Sequence, residues 1–103
     1  MSTEFSKKVI ALIKKIPKGK VATYSQIAKL AGNPHGTRGV VWILHSSSSL
    51  QELPWHRVIN AKGRISFPEM SEYWIRQKTL LQKEKIEFGA GDIIDLNTYQ
   101  WKK

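Results

Sequence analysis

Thr23-Tyr24-Ser25-Gln26-Ile27-Ala28-Lys29-Leu30-Ala31-Gly32-Asn33-Pro34-His35-Gly36-Thr37-Arg38-Gly39-Val40-Val41-Trp42-Ile43-Leu44-His45 is the stretch that decides the fold. Thr23 with Gln26 three residues on is a capping box, in which each side chain satisfies the other's free backbone amide. The spacing predicts a helix over 24–31 that buries Ile27, Leu30 and Ala31, with Gly32 ending it. Asn33-Pro34-His35-Gly36 has the chemistry of a tight loop. Thr37 then caps a third helix running to about residue 45, with Val40, Val41 and Leu44 facing inward. Two short helices joined by such a turn match a helix-turn-helix, whose second member is the reading helix. Many helical hairpins bind nothing, so the pattern alone leaves both readings open.

Upstream, Phe5, Val9, Leu12, Ile13 and Ile16 fall on one helical face, and Pro17 and Gly19 end that helix. Downstream, Ser46 to Ser49 reads as a connection. Leu53-Pro54-Trp55-His56-Arg57-Val58-Ile59-Asn60 is compact without helical period, and Asn60-Ala61-Lys62-Gly63 reads as a turn between short extended pieces. Ser71 caps a fourth helix over 72–85, anchored by Trp74, Leu80 and Leu81. Residues 86–103 read as short extended segments broken at Gly89-Ala90-Gly91. The expectation is a mainly α fold with short strands, residues 1–103 forming a single domain.

The chain has 103 residues, 41% of them hydrophobic and 24% charged, which is a globular composition. Its 17 Lys+Arg against 8 Asp+Glu leave a net charge of +9. Such an excess suits an anionic partner, most simply nucleic acid, although many small proteins are basic without one. No apolar run is long enough to span a bilayer, and the start of the chain lacks the basic-then-apolar pattern of a signal peptide. An intracellular setting and no membrane partner are expected.

With no cysteine there is no thiolate nucleophile, no cysteine-ligated zinc and no iron–sulfur cluster. His35, His45 and His56 fit no ligand spacing, so neither a metal nor a cofactor is expected. No Gly-x-Ser-x-Gly elbow and no phosphate-binding glycine loop is present.

The remaining signal is a set of strings in order: Ile16-Pro17-Lys18-Gly19-Lys20-Val21-Ala22-Thr23-Tyr24, Ala31-Gly32-Asn33-Pro34, Arg38, and Pro54-Trp55-His56-Arg57-Val58-Ile59. Together they resemble the DNA-binding domain of the O6-alkylguanine-DNA alkyltransferases over nearly the whole chain. That family carries Pro-Cys-His-Arg-Val at its active site, and Trp55 stands where its alkyl-accepting cysteine would be. The substitution resembles that of the alkyltransferase-like subgroup, which binds alkylated DNA without repairing it, and Tyr99-Gln100-Trp101-Lys102-Lys103 resembles the subgroup's ends. The fold implied is a winged-helix-like helix-turn-helix of the alkyltransferase C-terminal type.

Chemistry at guanine O6 in a duplex requires taking the nucleotide out of the stack. The resemblance implies that Tyr24 crowds the phosphate and helps turn the nucleotide out; otherwise it is a half-buried capping aromatic. It implies that Arg38 enters the gap as a finger, where a planar guanidinium can stack and hydrogen-bond at once. It further implies that the third helix lies in the minor groove. There Ser25, Gly36, Thr37 and Gly39 are plausible contacts, unless Gly36 serves only the turn and Thr37 only the cap. Trp55 and Val58 would wall the lesion pocket with Tyr24, Ser66 and Phe67, although Trp55 could be an ordinary core residue. His56, Arg57 and Glu84 would remain as a hydrogen-bonded network with no thiol to activate.

Three departures stand out. Ser47 lies where the family has a hinge asparagine. Val41 and Trp42 occupy a stretch that is small and glycine-rich in the family. Ile65-Ser66 is followed by Phe67-Pro68 where some members carry an arginine, so Phe67 would act as a lid and Arg64 or Arg76 would supply charge.

The implied partner is double-stranded DNA containing O6-alkylguanine, bound by a monomer and passed to nucleotide excision repair proteins. The setting would be the bacterial nucleoid or the eukaryotic nucleus. An enzyme excising the base would need a carboxylate or a lysine in the pocket, and Glu84 is the only acidic candidate near it. A sequence-specific helix-turn-helix transcription regulator is the other alternative. A third helix poor in Asn and Gln disfavours it.

Overall fold

Helix α1 (Thr3–Lys15) forms where the apolar spacing places it, with Glu4 in its first turn and Lys14 and Lys15 in its last, as the helix dipole favours. Val9, Leu12 and Ile13 are buried along its inner face, and Ile16 just beyond it. Across the Pro17–Lys20 turn the chain enters a two-residue strand, β1 (Ala22–Thr23). The computed structural model describes residues 3–46 and 53–102. Ser47 and the rest of the serine run after Ser46 lie outside them.

Helix α2 (Tyr24–Leu30) begins with the expected capping box. Thr23 Oγ1 accepts from the Gln26 amide, and Gln26 Oε1 accepts from the Thr23 amide. Ile27 and Ala28 are buried, but Leu30 is 43% exposed, against expectation. The helix stops one residue short of Ala31, which becomes its C-cap and turns inward, leaving Leu30 on the outer face. Gly32, at φ +92°, closes the helix as expected.

The turn is held by Asn33. Its side chain accepts from the His35 amide and its carbonyl accepts from the Gly36 amide. Helix α3 is Thr37–His45, but its N-cap is Gly36 and no side chain caps it. Thr37 is already the first helical residue, one position too late to cap. Val40, Ile43 and Leu44 are buried against α1 and α2, while Val41 is only partly buried. A Cβ at Gly36 would lie 2.8 Å from the Phe5 ring, so glycine lets α1 pack against the turn.

Trp55–Arg57 is a single 3-10 turn that leads into β2 (Val58–Ile59). The two strands pair in parallel, Ala22 opposite Val58 and Thr23 opposite Ile59. This pairing fixes the start of α2 beside the Trp55 turn. Gln77 of helix α4 (Glu72–Lys83) is buried, and its Nε2 donates to the carbonyls of both His56 and Val58. Ser71 caps α4 as expected, accepting from the Trp74 amide. The helix ends at Lys83 rather than 85, with Glu84 as its C-cap, and Leu80 is only partly buried. The expected turn at Asn60–Gly63 is present. Gly63, at φ +80°, passes so close to Ile94 that a Cβ would meet its carbonyl oxygen at 2.5 Å.

The end of the chain differs from the extended segments expected. It holds a 3-10 turn at Ala90–Asp92 and a short helix, α5 (Leu96–Tyr99). Asp95 caps α5, accepting from the Asn97 amide and the Thr98 hydroxyl. Local Asp-capping therefore overrides the weak apolar alternation there. The extended contacts are single bridges, Val21 with Gln100 and Phe88 with Ile94. The result is a mostly helical fold with a short two-stranded sheet.

Candidate nucleic-acid interface

Tyr24, the first residue of α2, is buried, and its hydroxyl points across to the loop after β2. It lies 2.9 Å from Ser66 Oγ and 3.2 Å from His45 Nε2. Burial raises the Tyr24 pKa, and the Ser66 hydrogen bond offsets this in part. Burial also lowers the His45 pKa, favouring a neutral imidazole able to share a proton with the phenol.

Phe67 is the hub of the neighbouring aromatic cluster. It stacks on His45 at 4.7 Å and on Tyr73 at 5.2 Å, and meets the Trp55 edge at 6.0 Å. Trp55 is also edge-on to Tyr73 at 6.1 Å. Tyr24, Trp55, Ser66 and Phe67, each predicted from sequence, therefore gather in one cluster. Val58 is fully buried beneath. His45 and Tyr73 join them unpredicted. Sequence reading treats His45 only as a possible metal ligand, and its place at the last turn of α3, facing Tyr24, depends on the α2–α3 crossing. For Tyr73, adjacency to the Ser71 cap was the available signal.

Arg76 lies over the outer face of Tyr73 at 5.3 Å and pairs with Glu72 at 3.3 Å. It stands at the exposed rim of the cluster. Arg64 lines a separate recess with Phe67, Trp74 and Asp92.

The outer face of α3 is open. Ser25 and Arg38 are exposed, and Thr37 and Gly39 are partly so. Arg38 has no hydrogen-bond or ion-pair partner among the described residues. Gly36 is half-buried and already committed to Phe5. The structure thus gives it a packing duty in addition to any contact outside.

His56, Arg57 and Glu84 form a closed network. His56 Nε2 donates to Glu84 Oε2 at 2.7 Å, and Arg57 Nε and Nη2 donate to the two carboxylate oxygens at 3.0 and 2.9 Å. The Gly19 amide donates to Oε1 at 3.3 Å, and Arg57 Nη1 reaches the Ile16 carbonyl at 2.9 Å. Burial alone would raise the Glu84 pKa. Hydrogen bonds from Arg57, His56 and Gly19 outweigh it and hold the carboxyl down to about 2. Glu84 is thus a structural carboxylate that ties α4 to the turn after α1.

Among the described residues no three His, Cys, Asp or Glu side chains gather as metal ligands. None of their helices is long and apolar enough to cross a membrane.

The family profile for the 6-O-methylguanine DNA methyltransferase DNA binding domain matches residues 4–86. A DNA base-flipping protein of Vibrio parahaemolyticus is 41% identical over 99 residues, covering 96% of this chain and 97% of its own. Alkyltransferase-like protein 1 of Schizosaccharomyces pombe is 37% identical over 103 residues, covering 96% and 95%. The crystal structure of S. pombe Atl1 in complex with damaged DNA containing O6-carboxymethylguanine superposes with a TM-score of 0.88 at 36% identity, over 100% of this chain and 99% of that one.

Proposed function

This chain belongs to the alkyltransferase-like family, built on the DNA-binding domain of the O6-alkylguanine alkyltransferases, and from that membership we propose that it reads O6-alkylguanine in duplex DNA without removing the alkyl group. The observation that carries the proposal is the convergence of Tyr24, Ser66, Phe67 and Trp55 in one aromatic cluster that also takes in His45 of α3.

In this reading α3 enters the minor groove with Ser25, Thr37 and Gly39 against the backbone, and Gly36 holds the turn there. Tyr24 crowds the phosphate, the nucleotide rotates out, and Arg38 fills the gap. The extruded base stacks among Trp55, Val58 and Phe67. Extrusion costs a few kcal/mol of stacking and pairing, and it is cheapest at a weakened alkylguanine pair, which favours the lesion. The net charge of +9 adds attraction to any duplex but no preference among bases.

The non-enzymatic part of the proposal rests on two facts. The chain has no cysteine to accept an alkyl group. Glu84, the acidic candidate for base excision, has both oxygens occupied by Arg57, His56 and Gly19. A monomer acting as one domain and handing the lesion to nucleotide excision repair completes the proposal.

The test is a titration of matched duplexes that hold guanine or O6-methylguanine at one position. Tighter binding to the lesion duplex is expected, and equal affinity contradicts the proposal. Undamaged duplexes of unrelated sequence, run alongside, distinguish a transcription regulator, which would prefer one of them.

A further inference from the structure

Trp42 is the most conspicuous side chain that the proposed function leaves unused. It is 67% exposed, on a helix where Val40, Ile43 and Leu44 are buried and Val41 is partly buried. It follows Arg38 by four residues, so the two share one face of α3, one turn or about 6 Å apart. Together with Val41, His45 and Ser46 they border an open hollow of about 370 Å³.

The charge around this hollow favours one occupant. Helix α3 contains no acidic residue, Arg38 is its fixed cation, and the chain as a whole is strongly basic. A protein partner drawn to an exposed indole would meet, one turn away, a guanidinium that has no ion-pair partner among the described residues. A nucleic acid offers both what the indole and what the guanidinium need: apolar sugar edges and phosphates.

We propose that Trp42 is a second DNA-contacting wedge, packing its indole against the deoxyribose wall of the minor groove one helical turn behind the Arg38 finger. The proposal rests on α3 lying in that groove. The minor groove is only about 6 Å wide, so an indole carried in on the same face must either spread its walls or press on the sugars. Apolar wedges in the minor groove kink the duplex towards the major groove when they part base steps, and an indole spreading the sugar walls favours the same widened, bent form. Trp42 therefore contributes to binding on any duplex. Trp55 answers only to an extruded base.

Fluorine NMR on protein labelled with fluorotryptophan separates the two. The chain has 4 Trp residues, and Trp42→Phe and Trp55→Phe variants assign the two signals of interest. The Trp42 signal is expected to shift with undamaged and with O6-methylguanine duplex alike, and the Trp55 signal with the lesion duplex only. Trp42→Ala is expected to weaken both duplexes about tenfold, to reduce the bend read by end-to-end energy transfer, and to leave the lesion preference intact. An unmoved Trp42 signal at saturating duplex, or unchanged duplex affinity in Trp42→Ala, overturns the proposal. An unmoved Trp55 signal with a responsive Trp42 signal counts instead against the lesion-reading function.

Discussion

The Tyr24 hydroxyl lies 2.9 Å from Ser66 Oγ, joining the first residue of α2 to the loop that carries Phe67 over Trp55. Elements 42 residues apart in sequence thereby share one hydrogen bond at the edge of the aromatic cluster. The residue expected to push a nucleotide out is physically tied to the loop expected to receive it.

Tyr24→Phe removes the bonds to Ser66 and His45 but keeps the buried ring. It should cost about 1 kcal/mol in urea unfolding and leave most of the lesion preference. Tyr24→Ala removes the ring as well. It should cost roughly 3 kcal/mol or more and abolish the preference in a duplex titration run at a temperature where the variant is folded.

Arg38→Ala should be nearly silent in stability, within about 0.5 kcal/mol, because the side chain is exposed and unpartnered among the described residues. Lesion affinity should nevertheless fall by about tenfold or more, and Arg38→Lys should recover little of it, since an ammonium cannot stack as a planar guanidinium does.

Glu84 contributes to stability through its depressed pKa. Its folded carboxyl titrates at about 2, well below the ordinary value of about 4.3 for an unfolded glutamate. The contribution is therefore complete above the unfolded value and is lost as pH falls from about 4.3 towards 2. Urea midpoints of the parent protein should drop across that window. Glu84→Gln should lower the neutral-pH stability by roughly 3 kcal/mol and flatten that part of the acid dependence.

The most legible parts of this fold were those whose signals are local. The Thr23–Gln26 box, the Asn33 turn and the Ser71 cap each announce themselves within four residues, and each forms as expected. Leu30 faces outward because a one-residue difference in helix length puts Ala31 at the C-cap, turned into the core. The α5 cap at Asp95 was available in sequence but was outweighed by the surrounding apolar residues. His45 and Tyr73 were invisible for another reason. Their meaning lies in ring contacts with Phe67 that only the packing of α3 and α4 creates. The Glu84 network was visible only through family resemblance, and the Gly19 amide that completes it comes from 65 residues away.

Trp55→Cys should not create an alkyltransferase. Trp55 is 9% exposed and in edge contact with His56, Phe67 and Tyr73, so a cysteine would leave a cavity that these rings close around. Incubation with duplex carrying radiolabelled O6-methylguanine should leave the label on the DNA for both the parent and the variant.

The central claim is that the lesion itself leaves the stack. The most direct measurement places fluorescent 2-aminopurine next to O6-methylguanine in one duplex and next to guanine in its match, then adds the protein to saturation. The account predicts a strong fluorescence rise in the lesion duplex, a small one in the match, and loss of the rise with Arg38→Ala and Tyr24→Ala. Saturated binding to the lesion duplex with no more rise than in the match would contradict it.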